Sequence, residues 1–409
     1  MAHAEAQAHE LTQWAKAKLR GLSRRAASQD IRSHYFDPTS LSAAKRTIDL
    51  AFRVGCKCSL VCFMDGHIES IRKLDPGPVS DPIIKRQLNS FGIAPNKHRI
   101  LQCIVKSYTP PRNPIPEEYD ELLRKAAPGV MDGIYVFVMS DMPLLRKDGT
   151  HPWPMVLPPD QKGMLITPKP SMNARYLPIF NTFSMEGCLD IALPNYDDLE
   201  APNASKAFAT PPWNERKSVA IFRGSSTGCG TSAKTNPRLA LANLSLPSDI
   251  LNAGITVYGK SPRFDPERGL SRIQPGQTKS FKPMEEIAQY KYVVHVDGNV
   301  AAYRLANMMR IGCLQLIIDG PYSLWYSFGV VHGQNSIKMK SMSDLESWIR
   351  WCQSNDSEAK AMAHRGATFS KSLLGIHIAF THVALVASCL MPQYDPKKVL
   401  DSVLPKEKD

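Results

Sequence analysis

From residue 218 onward the chain alternates short apolar runs with longer amphipathic stretches, and this alternation limits the fold more than any other feature. Runs at 218–222, 255–258, 292–296 and 313–318 predict strands, and helices are predicted from 236 and over 284–290, 300–311 and 342–353. Strands separated by helices do not pair as hairpins. They run parallel, joined by crossovers whose helices cover the sheet. The fold class read from this pattern is α/β.

The half before this point reads differently. Residues 58–63 predict a buried strand with 67–74 as its hairpin partner, and Ile134–Met139 is an apolar strand that runs into the turn Ser140-Asp141-Met142-Pro143. Helices are expected over 4–27 and near 80–91 and 115–127, and short apolar runs at 164–167 and 176–180 lie within a Pro-rich, aromatic stretch. Residues 200–212 turn linker-like and mark a domain boundary. A chain of 409 residues has room for two or three domains.

Composition excludes some classes. Hydrophobic residues at 43% and charged residues at 22% rule out a largely disordered chain. Lys+Arg 50 against Asp+Glu 38 gives a net charge of +12, which suits nucleic acid, an anionic surface or a phosphorylated ligand. No helix-turn-helix, RNA-recognition or zinc pattern accompanies it, so no nucleic-acid partner is expected. The nine cysteines are scattered without C-x-x-C pairs, against a zinc ribbon or a disulfide framework, and Cys56-Lys57-Cys58 reads as core. Ser372–Met391 is uncharged and long enough to span a bilayer. It contains His377 and His382, and a buried C-terminal helix rather than a membrane contact is expected. The start Met1-Ala-His-Ala-Glu5 has no apolar leader, which gives a cytoplasmic expectation.

Two turns carry the chemistry. Phe222-Arg-Gly-Ser-Ser-Thr-Gly-Cys-Gly-Thr-Ser-Ala-Lys-Thr-Asn-Pro-Arg238 leaves a predicted strand, is dense in Gly, Ser and Thr, and is flanked by Arg223 and Arg238. Its backbone N–H and hydroxyl groups suit anionic oxygens. A P-loop nearly fits at Gly228 to Thr235, but Ala233 replaces the second glycine and Pro237 falls where helical N–H groups should begin, so that reading is rejected. The second turn, Gly298-Asn299, precedes Val300-Ala301-Ala302, with Arg304 expected one turn inside a helix. Two such turns with neighbouring arginines point to a diphosphate site. Asp141, at the carboxyl end of a strand, is placed where α/β sheets bind ligands, as a candidate general base.

Taken together these stretches resemble glycosyltransferase family 90, over about Ile134 to Phe369. Residues 137–144 look like the family's strand ending in Asp-aromatic-Pro, with Met142 where the aromatic stands. Asp190-Ile-Ala-Leu-Pro-Asn-Tyr-Asp197 is similar to its D-I-x-x-P-x-Y-D segment, and Phe222-Arg-Gly-Ser225 to its F-R-G-S. Arg238 falls on its second arginine; Tyr290-Lys-Tyr292, Gly298 and Arg304 follow its next motif, with Ala302 in place of a serine. Residues 319–325 and 343–366 also follow the pattern.

The resemblance implies a GT-B architecture of two Rossmann-like domains facing a cleft. Residues 1–205 would form the acceptor side with the base, 206–370 the nucleotide-sugar domain, and 371–409 a helix and tail packing back on the first. It implies an inverting transfer of xylose or glucose from a UDP-sugar to a glycan or protein hydroxyl, with no cofactor and no metal. Asp141 would be the base. Phe222, Arg223, Gly224, Ser225, Thr227, Arg238, Gly298, Asn299, Val300, Ala301, Ala302 and Arg304 would bind the donor, and Met142 and Asp190 would lie on the acceptor side. Virus-encoded members made without secretion fit the cytoplasmic expectation; a secretory site is the alternative if a leader has been removed. A catalytically inactive member that binds UDP-sugar or glycan is the alternative function.

Overall fold

The computed structural model describes residues 35–38, 40–54, 56, 58–64, 67–74, 123–130, 133–138, 141, 143–152, 165–195, 198, 209–260 and 262–373. The expected helices over 4–27 and 80–91, most of 115–127, most of the linker, Met142 and the segment after Leu373 lie outside them. Among the described residues no helix is long and apolar enough to cross a membrane.

The second half is the expected parallel sheet. Strands β7 (Lys217–Gly224), β8 (Leu251–Ile255), β11 (Tyr290–His295), β12 (Leu314–Ile318) and β14 (Ile337–Met339) stand in the order β14-β12-β11-β7-β8, every pair parallel. The side-chain period of two splits the residues between the faces. Phe222, Tyr292, Val294 and Leu316 join one core cluster, while Ile221 and Val293 join another. Helices α2 (Pro237–Ala242), α5 (Leu345–Ser354) and α6 (Asp356–Leu373) supply buried residues to the first face; α3 (Met284–Ile287) and α4 (Leu305–Arg310) supply Ile287 and Met308 to the other. Burial on both faces explains why β11 is buried at every position.

Two boundaries differ most from expectation. The strand expected at 255–258 lies at Leu251–Ile255, where a five-rung ladder to β7 outweighs the polar Asn252 and the glycine at 254. The helix expected over 300–311 begins only at Leu305, with Arg304 at its N-cap rather than one turn inside. Residues 298–304 spend their polar groups on other partners. Ala302 N–H donates to Asp297 Oδ1 at 3.1 Å, and Tyr322 Oη donates to the Asn299 carbonyl at 2.9 Å.

The first half forms a mixed sheet, β2-β1-β3-β4-β6, from β1 (Cys58–Met64), β2 (His67–Leu74), β3 (Gly133–Val138), β4 (Ile179–Asn181) and β6 (Ile191–Ala192). The predicted hairpin β1–β2 is present, β1 also runs antiparallel to β3, and only β3-β4-β6 are parallel. This sheet is therefore not wholly parallel, as a doubly wound domain would be. Helix α1 (Leu41–Arg53), unexpected from sequence, covers it with Ala43, Ala44, Leu50 and Ala51. Two short pieces, β5 (Ser184–Met185) and β13 (Tyr322–Ser323), pair antiparallel and tie the halves together. The β9 (Arg263–Asp265) and β10 (Gly269–Ser271) strands form a separate hairpin.

Asp190 does not stand on an acceptor surface. It is fully buried, and its carboxylate accepts Leu144 N–H at 2.7 Å, Leu145 N–H at 2.9 Å and Asn181 Nδ2 at 3.1 Å. It thereby anchors the chain just beyond Asp141. Burial pushes its carboxyl up, while the Leu145, Asn181 and Leu144 hydrogen bonds pull it back. Asp190→Ala leaves two buried amides unpaired, and a loss of roughly 2–4 kcal/mol is expected in urea unfolding. A loss under about 0.5 kcal/mol, the level of an ordinary surface change, would contradict the anchoring role.

Candidate functional site

The strand order sets the place. In chain order the parallel strands run 2-1-3-4-5, so successive connections leave in opposite directions between β7 and β11. At such a switch point the loops after the two strands diverge and open a crevice at their carboxyl ends. A cleft of about 310 Å³ lies there, lined by Gly224, Ser225 and Thr227 after β7 and by residues 298–302 after β11. Arg238, Tyr303 and Arg304 complete that wall, and Asp141 from the other half faces them. The two turns and the carboxylate found in the sequence thus meet in one cavity, with Asp141 exposed to it.

Arg238 is the strut of the cleft. Its Nε donates to the Asp297 carbonyl at 3.0 Å and Nη2 to the Val296 carbonyl at 3.1 Å, both after β11. Nη1 donates to Thr227 Oγ1 at 2.6 Å and the Ser225 carbonyl at 3.3 Å, both after β7. The sequence reading placed Arg238 directly on a ligand; most of its N–H groups instead join the two loops, while its charge stays in the cleft. Gly298 makes room for this. A Cβ there would stand 2.8 Å from Thr227 Oγ1 and 3.0 Å from Arg238 Nη2, atoms already held by these bonds.

Arg304 reaches the cleft over Phe222, its guanidinium carbon 5.4 Å from the ring centroid, and donates to the Arg223 carbonyl. Phe222 is thus a buried platform and does not line the cavity. Arg223 is also displaced from its expected role. It donates to the carbonyls of Phe222, Asn252 and Ser280 and to Asn252 Oδ1, and does not line the cleft. Burial, and then the Arg238 charge, lower Arg304 to about 10, still charged at neutral pH. Arg238 is lowered by burial, against the pull of Asp297. Two cations held close in a partly dry wall favour an anion between them.

Asp297 sits behind the 298–302 loop, and burial pushes its carboxyl up to about 6, against the Ala302 hydrogen bond and the Arg238 charge. His295, with Nε2 3.8 Å from Asp297 Oδ1, is held neutral at about 3 by burial and by Arg304 and Arg238.

The Gly-rich loop divides in two. Its start, through Thr227, faces the cleft. Its remainder is braced by the β9–β10 hairpin, where Arg263 Nη1 donates to the carbonyls of Ser226 (3.0 Å) and Gly228 (2.7 Å). Asp265 Oδ2 accepts from Thr231 N–H at 2.6 Å and from the hydroxyls of Thr231 (2.8 Å) and Thr235 (2.6 Å). Lys234, the P-loop-like lysine, points outward, its side chain 78% exposed and paired with Glu267. Tyr303 was missed by the sequence reading, though it adjoins Arg304 in the same motif. Its hydroxyl stands 2.7 Å from Thr182 Oγ1 of the first half.

The model for Glycosyl transferase family 90 matches residues 118–384, more than half of the chain. Uncharacterized protein 027R of Frog virus 3 (isolate Goorha) is 32% identical over 278 residues, 60% of this chain and 28% of that protein. Protein O-glucosyltransferase 3 of Homo sapiens is 29% identical over 238 residues, 55% of this chain and 42% of its own. The crystal structure of Anabaena Alr3699/HepE in complex with UDP-glucose overlays 47% of this chain and 52% of that one at 12% identity and a TM-score of 0.28, too slight a likeness to define a fold. The chain therefore spans less than half the length of these two relatives. The chain belongs to glycosyl transferase family 90.

Proposed function

We propose that the chain is an inverting glycosyltransferase that moves glucose or xylose from a UDP-sugar to a hydroxyl of a protein or glycan, with Asp141 as general base. The observation that carries this reading is the single cleft, where an exposed carboxylate faces a wall of two arginines, hydroxyls and loop N–H groups. A donor's diphosphate suits that wall because its negative charge and oxygens pair with the two guanidinium groups. The sugar carbon would then project toward Asp141. The acceptor oxygen attacks the anomeric carbon from the face opposite the UDP oxygen, Asp141 takes the hydroxyl proton, and the sugar–phosphate bond breaks with its electron pair leaving on UDP. Arg304, Thr227 and Ser225 meet the charge that grows on the leaving phosphate, with Arg238 fixing the loops that carry them.

The name of the human relative, Protein O-glucosyltransferase 3, favours glucose and a protein hydroxyl, and the viral relatives favour a virus-encoded enzyme. Metal independence, the GT-B arrangement with the halves divided near residue 205, and a cytoplasmic location belong to the same proposal. The helix-dipole contribution expected at Val300 is not part of it, since α4 starts at Leu305.

Asp141→Asn is expected to lower sugar transfer by about 10²–10⁴-fold in a UDP-release assay, with UDP binding by calorimetry retained. Near-normal turnover in that variant ends the assignment. Arg238→Ala should weaken UDP binding by about tenfold or more, while Lys234→Ala should leave it unchanged; dependence on Lys234 would instead revive the P-loop reading. Turnover should survive excess EDTA, and its abolition would refute metal independence. Binding of UDP-glucose or UDP-xylose without any UDP release would favour the inactive, sugar-binding alternative.

A further inference from the structure

Asn299 occupies an unusual position, because its one side chain touches both walls of the cleft. Its Oδ1 accepts the Gly228 N–H at 3.0 Å, and its Nδ2 donates to Asp141 Oδ2 at 3.4 Å. The chemistry of the amide determines its orientation. Turned over, it would set NH₂ against the Gly228 N–H, donor against donor, and its oxygen against the carboxylate, acceptor against acceptor. Its own main chain is held as well, since its carbonyl accepts Tyr322 Oη at 2.9 Å from the β13 strand that pairs with β5. Gly228, at φ +118°, presents its N–H from a backbone conformation that other residues rarely adopt.

We infer that Asn299 is a positioning residue that couples the base to the donor loop: it occupies one carboxylate oxygen of Asp141 and leaves the other to receive the acceptor proton. The sequence reading assigned Asn299 to the donor; here its amide is directed to Gly228 and Asp141 instead. A ligand that orders the Ser225–Gly228 loop also orders the Asn299 amide, and with it the direction of the free oxygen of Asp141. This inference rests on the reading of Asp141 as general base. Among the described residues, the other charged or titratable groups that share the cleft with Asp141 are Arg238, Arg304 and Tyr303, with Asp297 behind the loop.

The experiment is the kcat–pH profile of the full chain with UDP-glucose or whichever UDP-sugar it turns over. Asn299→Ala should lower kcat about tenfold with a smaller change in donor KM. Asn299→Asp keeps an oxygen for Gly228 but sets two carboxylates face to face. Two carboxylates so placed cannot both ionise freely, so the acidic limb of this variant should move up relative to the parent, and kcat should recover partly at high pH. A purely structural role would lower activity without moving the limb. If Asn299→Ala melts below the parent, the isosteric Asn299→Asp carries the test. Asp141→Asn, measured alongside, separates the two claims. If that variant is inactive while both Asn299 variants keep the parent kcat and limb, the coupling is wrong and the base assignment stands. If Asp141→Asn retains turnover, both fall. Addition of Asn299→Ala to Asp141→Asn should cost no further activity, and a second full loss would overturn the coupling.

Discussion

Arg238 makes the cleft possible. A parallel sheet brings the carboxyl ends of β7 and β11 side by side, but its strand order sends their connections apart, so nothing in the sheet itself holds the two loops in a shared shape. One buried guanidinium does so, with donors spread over the carbonyls of Ser225, Val296 and Asp297 and the hydroxyl of Thr227. Only a planar fork with several fixed N–H directions can serve four acceptors at once; a lysine has three donors on one atom. The same group leaves a positive charge in a partly dry wall, next to Arg304, and both arginines are lowered by that burial. Shape and electrostatics therefore come from one side chain.

The opposite wall depends on a different kind of contact. Asp141 follows β3 in the mixed sheet, and Asp190 fixes the chain immediately after it through Leu144 and Leu145. The two halves are joined beside the cleft by the β5–β13 pair, by Tyr303 on Thr182 and by Trp325 Nε1 on Asp198 Oδ2 at 2.8 Å. A hydrophobic cluster backs these bonds, with Phe183 from the first half among Val300, Leu305, Trp325 and Tyr326 of the second. Residues 300 and 301 belong to that cluster and also line the cleft, so the packing that joins the halves sets the backbone of the donor wall.

The legible parts of the site were those carried by short-range pattern. Asp141 and Gly298 both stand just past apolar runs that end in turns, and both line the cleft. Phe222 and Arg223 were expected on the donor through the F-R-G-S resemblance, but both lie within β7, where Phe222 joins the core and Arg223 turns to Asn252 and Ser280, so neither lines the cavity. The helix over 300–311 failed for a related reason. Val300 to Arg310 has good helical periodicity, yet the Asp297 carboxylate and the Tyr322 hydroxyl draw its first residues into a loop. Helix α1 went unexpected although its sequence carries an apolar face of Ala43, Ala44, Leu50 and Ala51 opposite a polar one.

What the sequence by itself determined is the architecture of the second half: strands buried on both faces read as continuous apolar runs, and helices between them force parallel pairing. It also determined the family, through motifs whose order and spacing survive in a linear string. Only the tertiary structure decided which arginine braces and which one faces the cavity, that Asp190 is an anchor, and that Asn299 spans from Gly228 to Asp141. Each of those outcomes includes hydrogen bonds between residues far apart in the chain, from 45 positions for Asp190 to 158 for Asn299. Periodicity and propensity report what a residue does within its own turn or strand, and bonds of that reach exist only once the sheets have brought their ends together.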